Sequence, residues 1–236
     1  MALHGFAGTG RMWEPAGALM PPDATTLWCP DLPGHGGAAG RRPADVAAAV
    51  GHVLAIAPER FALAGYSMGG RIALHIALAA PERVTRLVLI ATTAGIVDAD
   101  ERARRRAADE ALAAAFETLP IEQIADRWTA QPLFAGDPAP ALARQRADVL
   151  RNRPAGLAAA LRGMGVGATA PVWDRLDGLT MPATVLVGER DETYVALGRR
   201  LAAALPAAEP PLVVPGAGHG LPREDPATVA AALLPS

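Results

Sequence analysis

The chain has 236 residues, 51% of them hydrophobic, and a formal net charge of −2. That is enough apolar material for one sizeable core, read as a single domain with an insertion. The near-neutral balance leaves no electrostatic footprint for nucleic acid or an anionic membrane surface, and no run approaches the ~18 continuous apolar residues of a spanning helix. The opening "MALHGFAG" starts as a short strand-like segment and carries neither a basic nor a long apolar leader region. "TTLWCPDLPG" at 25–34 reads as a strand stopped by Pro33 and Gly34. "RFALAGY" at 60–66 reads as a buried strand, "GRIALHIALAA" at 70–80 as a helix ended by Pro81, and "VTRLVLIAT" at 84–92 as the next strand. From Asp98 to Ala170 no strand pattern occurs. "DADERARRRAADEALAAAFETL" is a charged amphipathic helix, and "PIEQIADRW", "APALARQRADVLRN" and "AGLAAALRGM" read as three more. Strands resume at 183–191 and 211–219, with the helical "VALGRRLAAALP" between them.

Strands apolar on both faces and separated by helices predict a parallel sheet covered on both sides. The expected organisation is an α/β core over 1–97 and 171–236, with a helical cap inserted over 98–170. Ligands of such sheets sit beyond the C-terminal strand ends.

Chemistry concentrates in "GYSMGG", where Gly65-Tyr66-Ser67-Met68-Gly69 fits G-x-S-x-G between a strand and a helix. A bend that tight lifts the serine hydroxyl above the sheet and aims helix N–H groups at the same point. A serine needs a base. Among His4, His35, His52, His75 and His219, only His219 lies in a glycine-rich loop after the last strand, "PGAGHG". His52 and His75 fall on helices, and His4 and His35 sit in Gly-flanked turns near the expected site. The imidazole needs an orienting carboxylate, and "LVGERDETY" offers Glu189, Asp191 and Glu192. Asp191 is the choice, a few residues past the strand, which gives the order Ser67, Asp191, His219. The oxyanion hole is expected from the N–H of Met68 and that of Phe6 in "LHGFAGTG". No paired Cys/His spacing or dinucleotide fingerprint appears, so no metal or cofactor is expected.

The strings "LHGFAGTG", "DLPGHG", "GYSMGGRIAL", "LVGERDETY" and "GAGHG" resemble the α/β-hydrolase superfamily over nearly the whole chain. "RWTAQPLF", "LAAALRGMGVGATAPVWDRL" and "VGERDETY" narrow the resemblance to the 2-succinyl-6-hydroxy-2,4-cyclohexadiene-1-carboxylate (SHCHC) synthases of menaquinone biosynthesis. This implies a lyase that removes pyruvate from 2-succinyl-5-enolpyruvyl-6-hydroxy-3-cyclohexene-1-carboxylate, with the triad serine acting as a base. The substrate carries three carboxylates. The resemblance assigns its anchoring to Arg71, Arg105 and Arg151, with Tyr66 and Trp128 lining the site. Arg105 and Arg106 each have an acid four residues on, so ordinary helical pairing competes with that role. Which of Arg104, Arg105 and Arg106 faces the site is left open. The family usually has one or two strands before "LHGF", so "LWCPD" is expected as an unprotected sheet edge. The alternative is a serine carboxylic-ester hydrolase using the same triad, for which three arginines would have no purpose. All 22 basic residues are arginine, and the one cysteine, Cys29, has no intrachain partner. A cytoplasmic monomer or weak homo-oligomer acting on a small anionic substrate is the expectation.

Overall fold

The computed structural model describes residues 1–21, 23 and 26–234. In chain order the sheet strands are β1 (Ala2–Leu3), β2 (Phe61–Tyr66), β3 (Val84–Ile90), β4 (Ala183–Gly188) and β5 (Leu212–Val214). They pair in that same order, and every pair is parallel. The helices are α1 (Glu14–Gly17), α2 (Val46–Ile56), α3 (Met68–Ala79), α4 (Ala99–Thr118), α5 (Ile121–Thr129), α6 (Ala139–Val149), α7 (Pro154–Met164), α8 (Glu192–Ala204), α9 (Leu221–Glu224) and α10 (Pro226–Leu233).

Strand side chains alternate between two cores, as period 2 requires. Leu63, Leu87, Leu89 and Val185 face Val53, Ile72, Ile76 and Leu201 of α2, α3 and α8. Ala64, Tyr66, Val88, Ile90 and Leu186 face Trp13, Ala16 and Val229, the last two on α1 and α10. Because helices cover both faces, the strands read as nearly continuous apolar runs.

Between β3 and β4 the chain runs through α4, α5, α6 and α7. Helix α4 packs on α7, and α5 on α6. Asp98 caps α4 by accepting from the Glu101 N–H at 2.7 Å, and acids fill the helix's first turn. Phe116, Ile124, Val149, Leu157 and Leu161 form the inner face of these helices, joined by Ala7. On the outer face Arg162 bridges Glu110 at 2.9 Å and Glu117 at 2.5 Å, tying α7 to α4.

One expected strand is not formed. Residues 26–34 of the 25–34 run carry no strand, and Thr25 lies outside the described residues. Pro30 and Pro33 have no N–H to give a ladder, and β1 reaches this segment through the Ala2 N–H donating to Trp28 O at 2.8 Å. Among the described residues the sheet edge on this side is therefore the two-residue β1, not "LWCPD".

Candidate active site

Ser67 stands between β2 and α3 with φ 51° and ψ −112°, a left-handed conformation that non-glycine residues rarely adopt. Its neighbours make the bend possible. A Cβ on Gly65 would lie 2.3 Å from Gly69 O, and one on Gly69 would lie 2.3 Å from Leu3 O. Small residues there let α3 start directly against β1 and β2. The Ser67 N–H donates to Ile90 O at 2.9 Å, and Thr92 Oγ1 donates to Ser67 O at 2.7 Å, so the strained residue is held from both sides.

Asp191 ends the segment after β4 and caps α8, its Oδ1 accepting from the Tyr194 N–H at 3.2 Å. Its Oδ2 lies 2.7 Å from His219 Nδ1. His219, in the loop after β5, places Nε2 3.1 Å from Ser67 Oγ. With Nδ1–H donating to the carboxylate, Nε2 is left to accept from the serine hydroxyl. Burial lowers the His219 pKa below 6.5, and Asp191 opposes that shift through its hydrogen bond and charge. The imidazole thus stays neutral, and basic, at neutral pH.

The Phe6 and Met68 N–H groups have no acceptor among the described residues. The loop bearing Phe6 is fixed by two buried histidines. His35 Nε2 accepts from the Ala7 N–H at 3.2 Å, and His4 Nε2 accepts from the Leu32 N–H at 2.9 Å. Both rings act as acceptors, and burial lowers both pKa values, so both are neutral. Ala7 itself has φ 59°, which turns the Phe6–Ala7 backbone toward the site. "DLPGHG" is the scaffold for this loop, since Asp31 also accepts from the Gly10 N–H at 2.8 Å.

Ser67 and His219 open on a cavity of about 800 Å³ that is also lined by Phe6, Tyr66, Met68, Arg71, Arg105 and Trp128. Arg71, in the first turn of α3, is 7% exposed. One nitrogen donates to Met164 O at 2.9 Å, while Nε has no partner among the described residues. Burial pushes its pKa down to about 10. A buried cation at a helix N-terminus, facing the positive end of the dipole, is poorly placed without an anion. Of Arg104, Arg105 and Arg106, Arg105 lines the cavity, and its Nε also donates to Asp109 at 2.9 Å. Trp128 packs edge-on against Phe6 at 4.9 Å between ring centroids.

Arg151 is not brought to this cavity. Its side chain is 45% exposed with Nε 3.9 Å from Asp148, and although Asp148 lines the cavity, Arg151 does not. The turn after α6 directs Asn152, not Arg151, inward: Asn152 is buried and donates to Ala7 O at 2.9 Å. The cavity instead includes Arg223, Gln145 and Tyr194, which sequence reasoning missed. The Tyr194 ring sits 4.5 Å from His219, centroid to centroid. The available signals were their spacings, Tyr194 three residues after Asp191 and Arg223 four after His219. Among the described residues no group of three or more His, Cys, Asp or Glu is placed to hold a metal ion, and no helix is long and apolar enough to cross a membrane.

The alpha/beta hydrolase family model matches residues 2–232. The chain is 34% identical over 240 residues to the 2-succinyl-6-hydroxy-2,4-cyclohexadiene-1-carboxylate synthase of Klebsiella pneumoniae subsp. pneumoniae, covering 98% of this chain and 90% of the relative. Among solved structures it superposes on MenH from S. aureus with a TM-score of 0.89 and 27% identity, covering 98% of this chain and 90% of that one. A thermophilic esterase from Thermogutta terrifontis superposes with a TM-score of 0.77 and 26% identity, covering 98% and 86%. A parallel sheet under a helical cover, a serine held on a strained bend, and this likeness along almost its whole length together show that the chain belongs to the alpha/beta hydrolase family and, within it, to the SHCHC synthases.

Proposed function

We infer that the protein eliminates pyruvate from 2-succinyl-5-enolpyruvyl-6-hydroxy-3-cyclohexene-1-carboxylate to give SHCHC in menaquinone biosynthesis. The observation that carries this reading beyond the family likeness is Arg71. A buried guanidinium one helical turn from Ser67, with an unpartnered Nε, suits a carboxylate-bearing substrate and not a neutral ester.

The chemistry follows from the substrate's connectivity. The ring carbon that bears the succinyl group is acidified by the adjoining ketone. His219 takes the Ser67 proton, and the serine oxygen takes the proton from that carbon. The C–H electrons pass to the ketone oxygen, where the Phe6 and Met68 N–H groups receive the charge. The enolate collapses, its double bonds shift along the ring, and the C–O bond to the enolpyruvyl group breaks. The departing enolpyruvate takes a proton from the imidazolium and tautomerises to pyruvate. The serine is a base throughout and forms no acyl-enzyme. In this reading residues 98–170 form the cap, Arg105 and Trp128 complete the substrate pocket with Tyr66, and the enzyme works in the cytoplasm on a small anionic substrate.

The test is pyruvate release from freshly generated substrate by the parent, Ser67→Ala and Arg71→Ala. Ser67→Ala is expected to fall by about three orders of magnitude. Arg71→Ala is expected to lose about 10- to 100-fold in kcat/KM, the scale of one charge-assisted hydrogen-bonding group. A folded parent that releases pyruvate no faster than background, yet gives an acyl-enzyme burst with an activated ester, would overturn the reading in favour of ester hydrolysis.

A further inference from the structure

Arg223 is buried, lines the cavity, and belongs to none of the machinery above. Its only side-chain hydrogen bond among the described residues runs from Nη2 to Tyr66 Oη at 3.3 Å, and its Nε has no partner. A guanidinium has five N–H donors and always carries its charge. Buried charges are normally paired, yet no carboxylate of the described residues forms an ion pair with Arg223 within 4.0 Å. Three acids lie nearby: Asp137 feels the Arg223 charge but has its ion pair with Arg190, at 3.6 Å, and the other two accept hydrogen bonds elsewhere. Asp148 accepts from Thr9 through its N–H at 2.8 Å and its hydroxyl. Glu224 accepts from Arg190 and from the Gly218 N–H at 2.9 Å. Gln145, another buried residue of the cavity wall, has an Oε1 with no partner among the described residues. The lobe holding Arg223 is therefore polar and, among the described residues, keeps an unpartnered guanidinium Nε and an unpartnered amide oxygen.

Its placement mirrors that of Arg71. Arg71 follows Ser67 by four residues, and Arg223 follows His219 by four. Each guanidinium is thus carried about one helical turn beyond one member of the reacting pair, on a separate element, α3 or α9. Arg71 is held at Met164 of α7, while Arg223 lies over Tyr66 and Phe134, 5.4 and 5.8 Å from their ring centroids.

We propose that Arg223 is a second carboxylate-binding residue. With Arg71 it makes the site select substrates that present two carboxylates on either side of the reacting carbon. This rests on the lyase reading for the identity of the substrate, but not for the binding it predicts. Arg151, exposed outside the cavity, has no part in it.

The experiment is calorimetric titration of the intact protein with straight-chain dicarboxylates from succinate to suberate, with butyrate as the monocarboxylate control. Two cations at fixed separation predict an affinity maximum at one chain length, at least tenfold above butyrate. Arg71→Met and Arg223→Met should each abolish the maximum and leave butyrate-like binding, with Arg223→Gln as the second variant should the methionine fail to fold. A crystal structure of the parent with the best dicarboxylate should show one carboxylate at each arginine. No length maximum in the parent, a folded Arg223 variant that keeps it, or the second carboxylate seated away from Arg223 would overturn the proposal. Pyruvate release by the parent is read separately. Its absence alongside a clear length maximum would overturn the lyase reading and leave the two-anchor site standing.

Discussion

At the scale of single residues, the proposed chemistry of Ser67 and His219 depends on a neutral imidazole. Burial is the largest influence on His219 and lowers its pKa, while Asp191 opposes the shift. The basic form therefore persists below the usual histidine range. The acidic limb of the kcat/KM profile for pyruvate release is expected to have its midpoint below 6.5, the ordinary histidine value. A midpoint above 6.5 would show the Asp191 charge outweighing burial. Gly69 is equally specific. A Cβ there would meet the Leu3 and His4 carbonyl oxygens at 2.3 and 2.5 Å, and backbone cannot rotate away as a side chain can. Gly69→Ala should cost about 1–3 kcal/mol by overpacking, read as a lower midpoint in urea. These residues were legible because chemistry fixes their spacing: a serine on a strand-to-helix bend, a carboxylate after one strand, a histidine after the next. Arg223 was not, because "LPRED" in isolation looks like a solvated helix start, and nothing in it tells that α9 turns its arginine inward. Arg151 misled for the converse reason. Helical register alone did not decide whether Arg151 or Asn152 turns toward the core.

At the scale of elements, the strands at 61–66, 84–90 and 183–188 were legible because each is apolar on both faces. The 25–34 run has only the short apolar stretch at 27–29 and contains Pro30 and Pro33, and pairing at a sheet edge is a tertiary outcome that apolar content does not encode. Nor could sequence show how Asp137, in the turn before α6, meets the loop that carries His219. Arg190, next to Asp191, lies 3.6 Å from Asp137 and also pairs with Glu224, while its Nε donates to Gly216 O at 2.8 Å. One guanidinium thereby ties the turn before α6 to the histidine loop. Asp137 pays for the arrangement. Burial first, then Glu224, push its pKa up to about 7, against the opposing charges of Arg223 and Arg190. The folded state therefore binds this proton more tightly than the unfolded chain does. Stability from this group is full at low pH and is lost as pH rises from 3.8, its ordinary value, through about 7. Asp137→Asn removes that loss. The difference in Tm, variant minus parent, should grow between pH 5 and pH 7 and then level off. A difference that is the same at every pH would mean that Asp137 keeps an ordinary carboxylate pKa.

At the scale of the whole molecule, the helices between β3 and β4 meet the sheet through polar contacts as well as apolar ones. Asn152 and Asp148 are both buried, and both reach the loops that flank the proposed oxyanion donors. Asn152 Nδ2 donates to Ala7 O at 2.9 Å, and its Oδ1 accepts from the Gly36 N–H at 2.9 Å. One side chain thus satisfies two backbone groups on two separate loops, a constraint that apolar packing could not impose with the same direction. Asn152→Ala would leave that carbonyl and that N–H without their side-chain partners. The expected cost is about 1–3 kcal/mol, or a Tm lower by about 2–10 °C for a chain of this size. Because Ala7 adjoins Phe6, the same change should lower kcat more than it raises KM, the sign of an interaction expressed in the transition state. Arg162→Ala is the matching control. It cuts the bridges to Glu110 and Glu117 on the outer face, where solvent screens them, so its effect on Tm should be smaller and kcat should not move. A lowered Tm with unchanged kcat in Asn152→Ala would confine this residue to joining the helices to the sheet. Orientation of the Phe6 N–H would then rest on His35, which holds the Ala7 N–H from the other side.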